Sequence, residues 1–170
     1  MAKALNTHAA WVTEYIPESR RLRAHALWMG GQFVPNYETK IDGTPCQRVI
    51  EEETLVHYPD RVVELFPDDP DVKRNGAVSY LGVPLKDLDG TILGHLAVMD
   101  RRPMPEDPRA LALFQIFAAR AERELREREE KLARLVDSAM DAIIELDENM
   151  QLTRINPAAE KVCGCTASEA

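Results

Sequence analysis

Apolar and polar positions alternate through much of the first hundred residues, with the period of β-strands. Residues 9–15 are rich in aromatic and β-branched side chains, which predicts a first strand. Residues 22–32 predict a second strand, with basic residues on one face and, on the other, Leu22, Ala24, Ala26 and Trp28. Two further apolar runs flank Asp89-Gly90, a dipeptide that favours a tight turn. Residues 80–100 therefore predict a β-hairpin.

The segment between these strands predicts one short helix and one loop. Thr44 as the cap, Pro45 at the first helical position and Gln47 as the partner of the cap predict a helix over residues 44–51. Residues 66–71 predict a turn-rich loop, with Asp68, Asp69 and Asp71. Because the glycine and the closing glutamate of a calcium loop are missing, we interpret these aspartates as a solvated acidic loop.

From residue 106 the apolar spacing changes to three and four residues, which is typical of a helix. Asp107-Pro108 predicts its start, and neither Gly nor Pro interrupts residues 109–143. The helix should span about 45 Å at 1.5 Å per residue. Its second half is too charged for burial in a small domain, which favours a parallel coiled coil over a single solvated helix. The predicted dimer seam is Leu111, Phe114, Ala118, Ala121, Leu125, Leu132 and Leu135.

Composition limits the partners that the chain is expected to bind. Its 170 residues suit one domain and part of another, and 29 acidic against 21 basic residues give a net charge of −8. This balance argues against nucleic acid as a partner, because nucleic-acid binding needs a basic face. No apolar run is long enough to span a membrane, and the N-terminus lacks the apolar core of a signal peptide. We therefore expect a cytoplasmic protein with no membrane partner.

No catalytic or metal-binding arrangement is evident in the sequence. The cysteines are Cys46, Cys163 and Cys165, an odd count without the spacing of a redox or zinc pair. The four histidines are scattered, and no nucleophile can be placed beside a base. We expect no catalytic residue and no metal site.

The hairpin from Tyr80 to Asp100 resembles the core signature of GAF domains, a family of small-molecule sensors. The shared features are a strand ending in Val83-Pro84-Leu85, the Asp89-Gly90 turn, and a strand of the form Ile-x-Gly-x-Leu-x-Val. The resemblance implies an α+β fold, with a central antiparallel sheet flanked by helices over residues 1–105. The family has a full helix before the first strand, and we expect a shortened one here.

The last part of the chain resembles the beginning of a PAS domain. The matching features are an amphipathic helix, an Ala142-Ile143-Ile144 strand, an acidic turn, and a second strand ending in Asn156-Pro157. Residues 106–138 would then form the long helix, packing on the GAF domain and then acting as a signalling coiled coil. Residues 139–170 would form an incomplete PAS-like hairpin. An isolated two-stranded unit is only marginally stable.

The GAF resemblance implies a ligand cavity on one face of the sheet. The candidate lining residues are Trp28, Phe33, Cys46, Val49, Tyr80 and His95. The alternative for each of them is a purely structural place in the core. Bilin-binding relatives use a cysteine next to a histidine, whereas Gln47 follows Cys46 here, so we expect no bilin; neither a haem nor a metal signature is present.

Three functions remain open from the sequence. The first is a non-catalytic sensor that binds an unknown small molecule and passes a signal, as a homodimer through the long helix, to an output domain such as a kinase or cyclase. The second is a ligand-free dimerisation or spacer module. The third is a GAF-type redox enzyme that uses Cys46, which a single cysteine in the GAF segment disfavours.

Overall fold

Residues 1–147 and 150–164 are described by the computed structural model, apart from the side chain of residue 129. The chain divides into two compact units, Met1–Glu124 and Leu125–Ala170. The strands of the first unit are β1 (Ala9–Ile16), β2 (Arg21–Met29), β3 (Gln32–Phe33), β4 (Glu38–Lys40), β5 (Val56–Tyr58), β6 (Ser79–Lys86) and β7 (Ile92–Asp100). The α-helices are α1 (Ala2–Leu5), α2 (Pro45–Glu52), α3 (Val62–Leu65), α4 (Pro70–Asn75) and the long α5 (Pro108–Asp137), which continues into the second unit; Pro17–Ser19 form a 3-10 turn.

The strands form one antiparallel sheet in the order β3-β2-β1-β7-β6-β5, and β4 also pairs with β2. The α+β fold expected from the GAF resemblance is confirmed. The β6–β7 hairpin pairs Tyr80 with Met99 and Leu85 with Gly94, as the Asp-Gly turn predicts. At Gly94 the neighbouring strand approaches closely, since a Cβ there would lie 1.8 Å from the carbonyl oxygen of Thr13. Only glycine permits the observed β1–β7 pairing at this point.

A β-bulge in β2 reverses the faces of that strand. Val12 pairs with Ala26 and Thr13 with Ala24, so β2 carries one extra residue, His25, at this point. Because side chains alternate along a strand, an extra residue moves those beyond it to the opposite face. The prediction that Leu22 and Trp28 share a face is therefore wrong, and the two side chains lie on opposite sides of the sheet.

Helix α2 begins at the predicted cap. The Thr44 hydroxyl accepts a hydrogen bond from the Gln47 amide at 3.3 Å. In a capping box the Gln47 side chain would accept a hydrogen bond from the Thr44 backbone amide. Here the Thr44 amide donates to the Ile41 carbonyl, and the Gln47 side chain accepts from the Gly43 amide at 2.8 Å. The helix ends at Glu52, and its inner face is buried through Cys46 and Val49.

The acidic segment at residues 66–71 is not a solvated loop, as the sequence had suggested. It leads into α4, whose N-cap is Asp69. The Asp69 carboxylate accepts hydrogen bonds from the amides of Asp71 at 2.8 Å and Val72 at 3.1 Å. Asp69 is only 6% exposed, because capping draws its side chain inward. Asp68 alone of the three aspartates is exposed.

The part of α5 that belongs to the first unit packs on the domain itself. Phe114, Ala118 and Ala121 follow three- and four-residue spacing and are at most 9% exposed. The amide of Lys86, at the end of β6, donates to the Glu122 carboxylate at 3.1 Å. These three positions, predicted to belong to a dimer seam, are thus buried within a single protomer. Leu111 is half-buried, and Leu125, at the start of the second unit, is 9% exposed.

The second unit contains the end of α5, the hairpin β8 (Ile144–Leu146) and β9 (Leu152–Ile155), and the helix α6 (Pro157–Cys163). Asn156 holds these elements together and is fully buried. Its side-chain Oδ1 accepts hydrogen bonds from the backbone amides of Ile143 and Ala159. Its side-chain Nδ2 donates to the backbone carbonyls of Val136 and Asp141. Cys165, and part of the predicted acidic turn at residues 148–149, lie outside the described residues.

Candidate functional site

The candidate site is a cavity of about 40 Å³ between the sheet and residues 37–72 of the same unit. Since a water molecule needs about 10–15 Å³ measured in this way, the space suits a few waters or a compact group. The apolar wall is formed by Trp11, Leu22, Leu27, Met29, Val72 and Met99. The polar wall includes Tyr37, Thr39, Thr44, Cys46, Asp69 and Asp71. Such a mixture of apolar walls and a few polar groups is typical of small-molecule sites.

Two carboxylates form the polar end of the cavity. The Tyr37 hydroxyl donates a hydrogen bond to Asp71. Burial and this bond raise the pKa of Tyr37 well above its usual range. Burial also raises the pKa of Asp69 above its usual value, because desolvation penalises the charged carboxylate. Among the described residues, no lysine, arginine or histidine lines this cavity.

The cysteine of the cavity is a protonated thiol. The Tyr80 hydroxyl donates to the Cys46 sulfur at 3.6 Å, and both residues are buried. Burial raises the pKa of Cys46 to about 12, so the nucleophilic thiolate is scarce at neutral pH. Cys46 thus has the character of a polar wall residue and not of an activated nucleophile.

His95 lies behind the cavity wall in a closed hydrogen-bond network. The Trp11 indole donates to its Nε2 at 3.0 Å, and its Nδ1 lies 2.5 Å from the Thr13 hydroxyl. Because an indole N–H can only donate, Nε2 accepts and the proton of a neutral ring is on Nδ1. Burial lowers the pKa of His95 to about 3. The neutral ring therefore joins β7 to two residues of β1 that line the cavity.

The six predicted lining residues occupy three different places. Cys46 and Tyr80 line the cavity. Val49 is fully buried in the core, and its Cγ2 lies 2.8 Å from where a Cβ on Gly82 would be. His95 is also fully buried, one layer behind Trp11.

Trp28 and Phe33 lie elsewhere, on an open groove of about 360 Å³ that also involves Lys3, Ala10 and Val12. The two rings pack edge to face with centroids 5.1 Å apart, and Phe33 is 69% exposed. The Lys3 ammonium lies 5.9 Å from the centre of the Trp28 ring. The prediction that these two aromatic residues share one cavity with Cys46 and Tyr80 is corrected by the reversed face of β2.

Sequence reasoning missed the acidic end of the cavity. Asp69-Pro70 has the same cap-and-proline form as Thr44-Pro45 and Asp107-Pro108, both of which the sequence analysis used to predict helices. A third helix start at this dipeptide would have predicted that the Asp69 side chain caps its own helix and faces away from solvent. Tyr37 carried no local signal, since its contact with Asp71 spans 34 residues.

A bridge at Lys86 joins the helix above the cavity to α5. The Lys86 ammonium pairs with the Glu53 carboxylate, at the end of α2, with a nitrogen–oxygen distance of 2.9 Å. Its own backbone amide donates to Glu122. A register shift between Leu85 and Lys86 lies at this position, where bulges commonly re-aim backbone groups. Lys86 thus contacts both α5 and the residue that ends α2, the helix whose first turn lines the cavity.

The sheet order, the buried face of α5 and the cavity beside the sheet agree with one known family. The model of the GAF domain family matches residues 1–125. The chain belongs to the GAF domain family. A PAS domain model matches residues 130–170, in agreement with the resemblance of the C-terminal segment. None of the curated proteins compared with this GAF protein matches it.

Solved structures of other GAF domains share the fold. The GAF domain from an Acinetobacter phosphoenolpyruvate-protein phosphotransferase has a TM-score of 0.59 at 16% identity, covering 76% of this chain and 77% of that one. The second GAF domain of DevS from Mycobacterium smegmatis has a TM-score of 0.58 at 12% identity, and the match covers 78% of this chain and 90% of that one. A free methionine-R-sulfoxide reductase from Neisseria meningitidis has a TM-score of 0.56 at 17% identity, and the match covers 77% of this chain and 74% of that one. At these identities the likeness concerns the fold alone.

Membership of the GAF family gives the class of function. GAF domains are sensory, ligand-binding modules of signalling proteins. In the described part of this chain, no helix is long and apolar enough to cross a membrane. Nor does any group of three or more His, Cys, Asp or Glu side chains among the described residues have the geometry to hold a metal ion.

Proposed function

We propose that this chain is a non-catalytic sensor that binds a small molecule in the GAF cavity. As a homodimer in the cytoplasm, it would pass a conformational signal along α5 to a downstream signalling domain. The observation that carries the proposal is the partly enclosed cavity, which combines an aromatic and aliphatic wall with the acidic end at Asp69 and Asp71. No nucleic-acid partner is expected, since the net charge is −8.

The Lys86 bridge supports the proposed route of the signal. Cys46 and Thr44 line the cavity from α2 and its cap, and Glu53 at the other end of this helix pairs with Lys86. A ligand that shifts α2 would move Glu53, and Lys86 would pass the displacement to Glu122 on α5. Packed elements change between discrete arrangements, so a small shift at the cavity could select one position of α5.

The apolar residues near the end of α5 support a dimer. Leu132 and Leu135 continue the spacing of the buried stripe, yet they are 54% and 58% exposed in the single protomer. In the proposed homodimer these leucines pack against their counterparts as a short coiled coil. Phe114, Ala118 and Ala121 are already buried within the protomer and contribute no free surface.

A second candidate function is a ligand-free dimerisation or spacer module, which the small cavity volume of about 40 Å³ favours. A third, a reductase of the kind found among the structural neighbours, would require Cys46 to react as a thiolate. Its buried thiol, with a pKa of about 12, disfavours this reading. Reductase activity that is lost in Cys46→Ser would restore the enzyme reading.

Native mass spectrometry of the freshly purified full chain tests the proposal. A dimer that carries a stoichiometric extra mass is the expected result. A clean dimer without added mass would favour the spacer. A monomer would contradict the coiled coil and the proposed route of the signal.

Two matched variants show whether the dimer uses the end of α5. Leu132→Glu places a charge on the proposed seam and should yield a monomer. Leu88→Glu places the same charge on the β6–β7 turn, where Leu88 is 87% exposed, and should leave the dimer intact. Equal dimerisation of both variants would contradict a seam at Leu132.

A further inference from the structure

The GAF cavity has one strongly buried acid, Asp69, which forms no ion pair with a lysine, arginine or histidine among the described residues. Asp69 is 6% exposed and lines the cavity. Its Oδ1 accepts both capping hydrogen bonds, whereas Oδ2 has no hydrogen-bond partner among the described residues. Because no buried side-chain oxygen of the described residues lacks a hydrogen bond, this unbonded Oδ2 is open to solvent. A cationic ligand that replaces the solvent there would form a charge-assisted hydrogen bond with Oδ2.

The surroundings of Asp69 extend this preference to positive charge. Asp71 supplies a second carboxylate to the same wall, already bonded to Tyr37 and 3.7 Å from the Arg74 guanidinium. Besides burial, the charge of Asp69 helps to raise the pKa of Cys46, so the acid acts across the cavity. An anionic ligand would meet two acids and no basic side chain among the described lining residues.

The opposite wall suits the body of such a ligand. Trp11 and Tyr80 pack with ring centroids 6.1 Å apart, and both line the cavity beside Met29 and Met99. Aromatic rings attract cations through their electron-rich faces, most strongly where water is excluded. The methionines and leucines around them accommodate a short aliphatic group. The cavity volume of about 40 Å³ limits that group to a few carbons.

We propose that the cavity takes a compact organic cation, a small amine in its ammonium form, with the ammonium on Asp69 Oδ2 and the alkyl group against Trp11 and Tyr80. This inference rests on the proposed function, in which the cavity binds a ligand. It adds the chemical class of that ligand and the residue that selects it.

Three probes of one shape but different charge test the inference on the full chain. They are 2-methylpropan-1-amine, 2-methylpropan-1-ol and 2-methylpropanoate, each titrated at neutral pH while the backbone amide signals of Cys46 and Val72 are followed by NMR. The amine should bind about tenfold or more tightly than the alcohol, as expected for a hydrogen bond to a charged group. The carboxylate should leave both signals unchanged. Since this comparison uses the wild-type protein, it depends on no variant.

Two variants assign the selectivity to a residue. Asp69→Asn removes the charge, and asparagine is as good a helix cap as aspartate, so the fold should be retained. It should weaken amine binding about tenfold and leave the alcohol unaffected. Asp68→Asn removes an equal charge from the neighbouring exposed position and should change neither.

The outcomes separate this inference from the proposed function. Equal binding of amine and alcohol, or unchanged amine binding in Asp69→Asn, would overturn the amine class while leaving a ligand cavity in place. Binding of 2-methylpropanoate would also overturn the amine class. If none of the probes shifts the cavity amides, the inference fails, and the extra mass sought by native mass spectrometry independently decides whether the cavity binds another ligand.

Discussion

The two sides of the β1–β2 ribbon carry pockets of opposite character. On one side the cavity, the more enclosed of the two, holds about 40 Å³ and is lined by Tyr80, Cys46 and two carboxylates. On the other side, the groove beside Trp28 and Phe33 holds about 360 Å³ and leaves Phe33 69% exposed. The larger space contains the more conspicuous aromatic pair, but the smaller one has the buried polar groups on which the proposed ligand site rests. The two pockets therefore differ most in the polar side chains that line them, and the proposed site follows these side chains instead of volume or aromatic content.

The side of the sheet that carries the cavity depends on the close pairing of β1 with β7. We expect Gly94→Ala to disrupt this strand pairing. The new Cβ would lie 1.8 Å from the Thr13 carbonyl oxygen, so the strands must separate. We expect a loss of about 3 kcal/mol or more in the free energy of unfolding, measured with urea.

Gly90→Ala is the matched control for this substitution. A Cβ at Gly90, in the hairpin turn, meets no atom within 4 Å, and the backbone φ is +92°. Only the strain of that conformation should remain, which we expect to cost about 1–2 kcal/mol. A smaller loss for Gly94→Ala than for Gly90→Ala would show that the β1–β7 contact tolerates a side chain.

Truncation of one aromatic residue on each side sharpens the comparison. Tyr80 is fully buried, so Tyr80→Ala should lower the free energy of unfolding by about 3–5 kcal/mol. Phe33→Ala should cost about 0.5 kcal/mol or less, because its ring is already mostly in water. Both values come from urea titration of the purified variants. Comparable losses would mean that the groove is covered in solution.

The histidine behind the cavity should make the enclosed side sensitive to acid. Burial lowers the pKa of His95 in the folded protein to about 3, from an ordinary value of 6.5. Between these values the unfolded chain binds a proton at this residue that the folded chain does not. The stabilising effect is therefore complete above pH 6.5 and is lost as the pH falls toward 3.

His95→Gln isolates this effect from other titrating groups. Between pH 7.5 and pH 5.5, the wild type should lose about 1.4 kcal/mol more of its unfolding free energy than the variant does. Urea titrations at the two pH values measure the difference. An identical pH dependence in both proteins would mean that His95 gains a proton without unfolding.

Several elements followed from local patterns alone. The Asp-Gly hairpin, the cap of α2 at Thr44 and the start of α5 at Pro108 each depend on neighbouring residues, so the sequence predicts them well. The start of α4 was equally local, and Asp69-Pro70 was misinterpreted because an acidic, proline-rich run is also typical of loops.

The site was less predictable because its geometry depends on residues far apart in sequence. Cys46 and Tyr80 were predicted through a family resemblance, and the structure places both at the cavity. Trp28 was assigned to the same face of the sheet as Leu22 because the strand pattern was interpreted without its bulge. One extra residue opposite Val12 and Thr13 changes the face of every side chain beyond it, and the hydrophobic pattern does not reveal it.

The sequence by itself determined the family, the alternation of strands and the long helix, because turn residues, caps and hydrophobic periodicity act over a few neighbouring positions. Only the tertiary structure decided which side of the sheet is enclosed, that Asp69 faces the cavity, and that part of the α5 stripe is buried within the protomer. These outcomes depend on strand register and long-range packing. A single inserted residue or one capping hydrogen bond redirects a side chain without changing the composition from which sequence patterns are read.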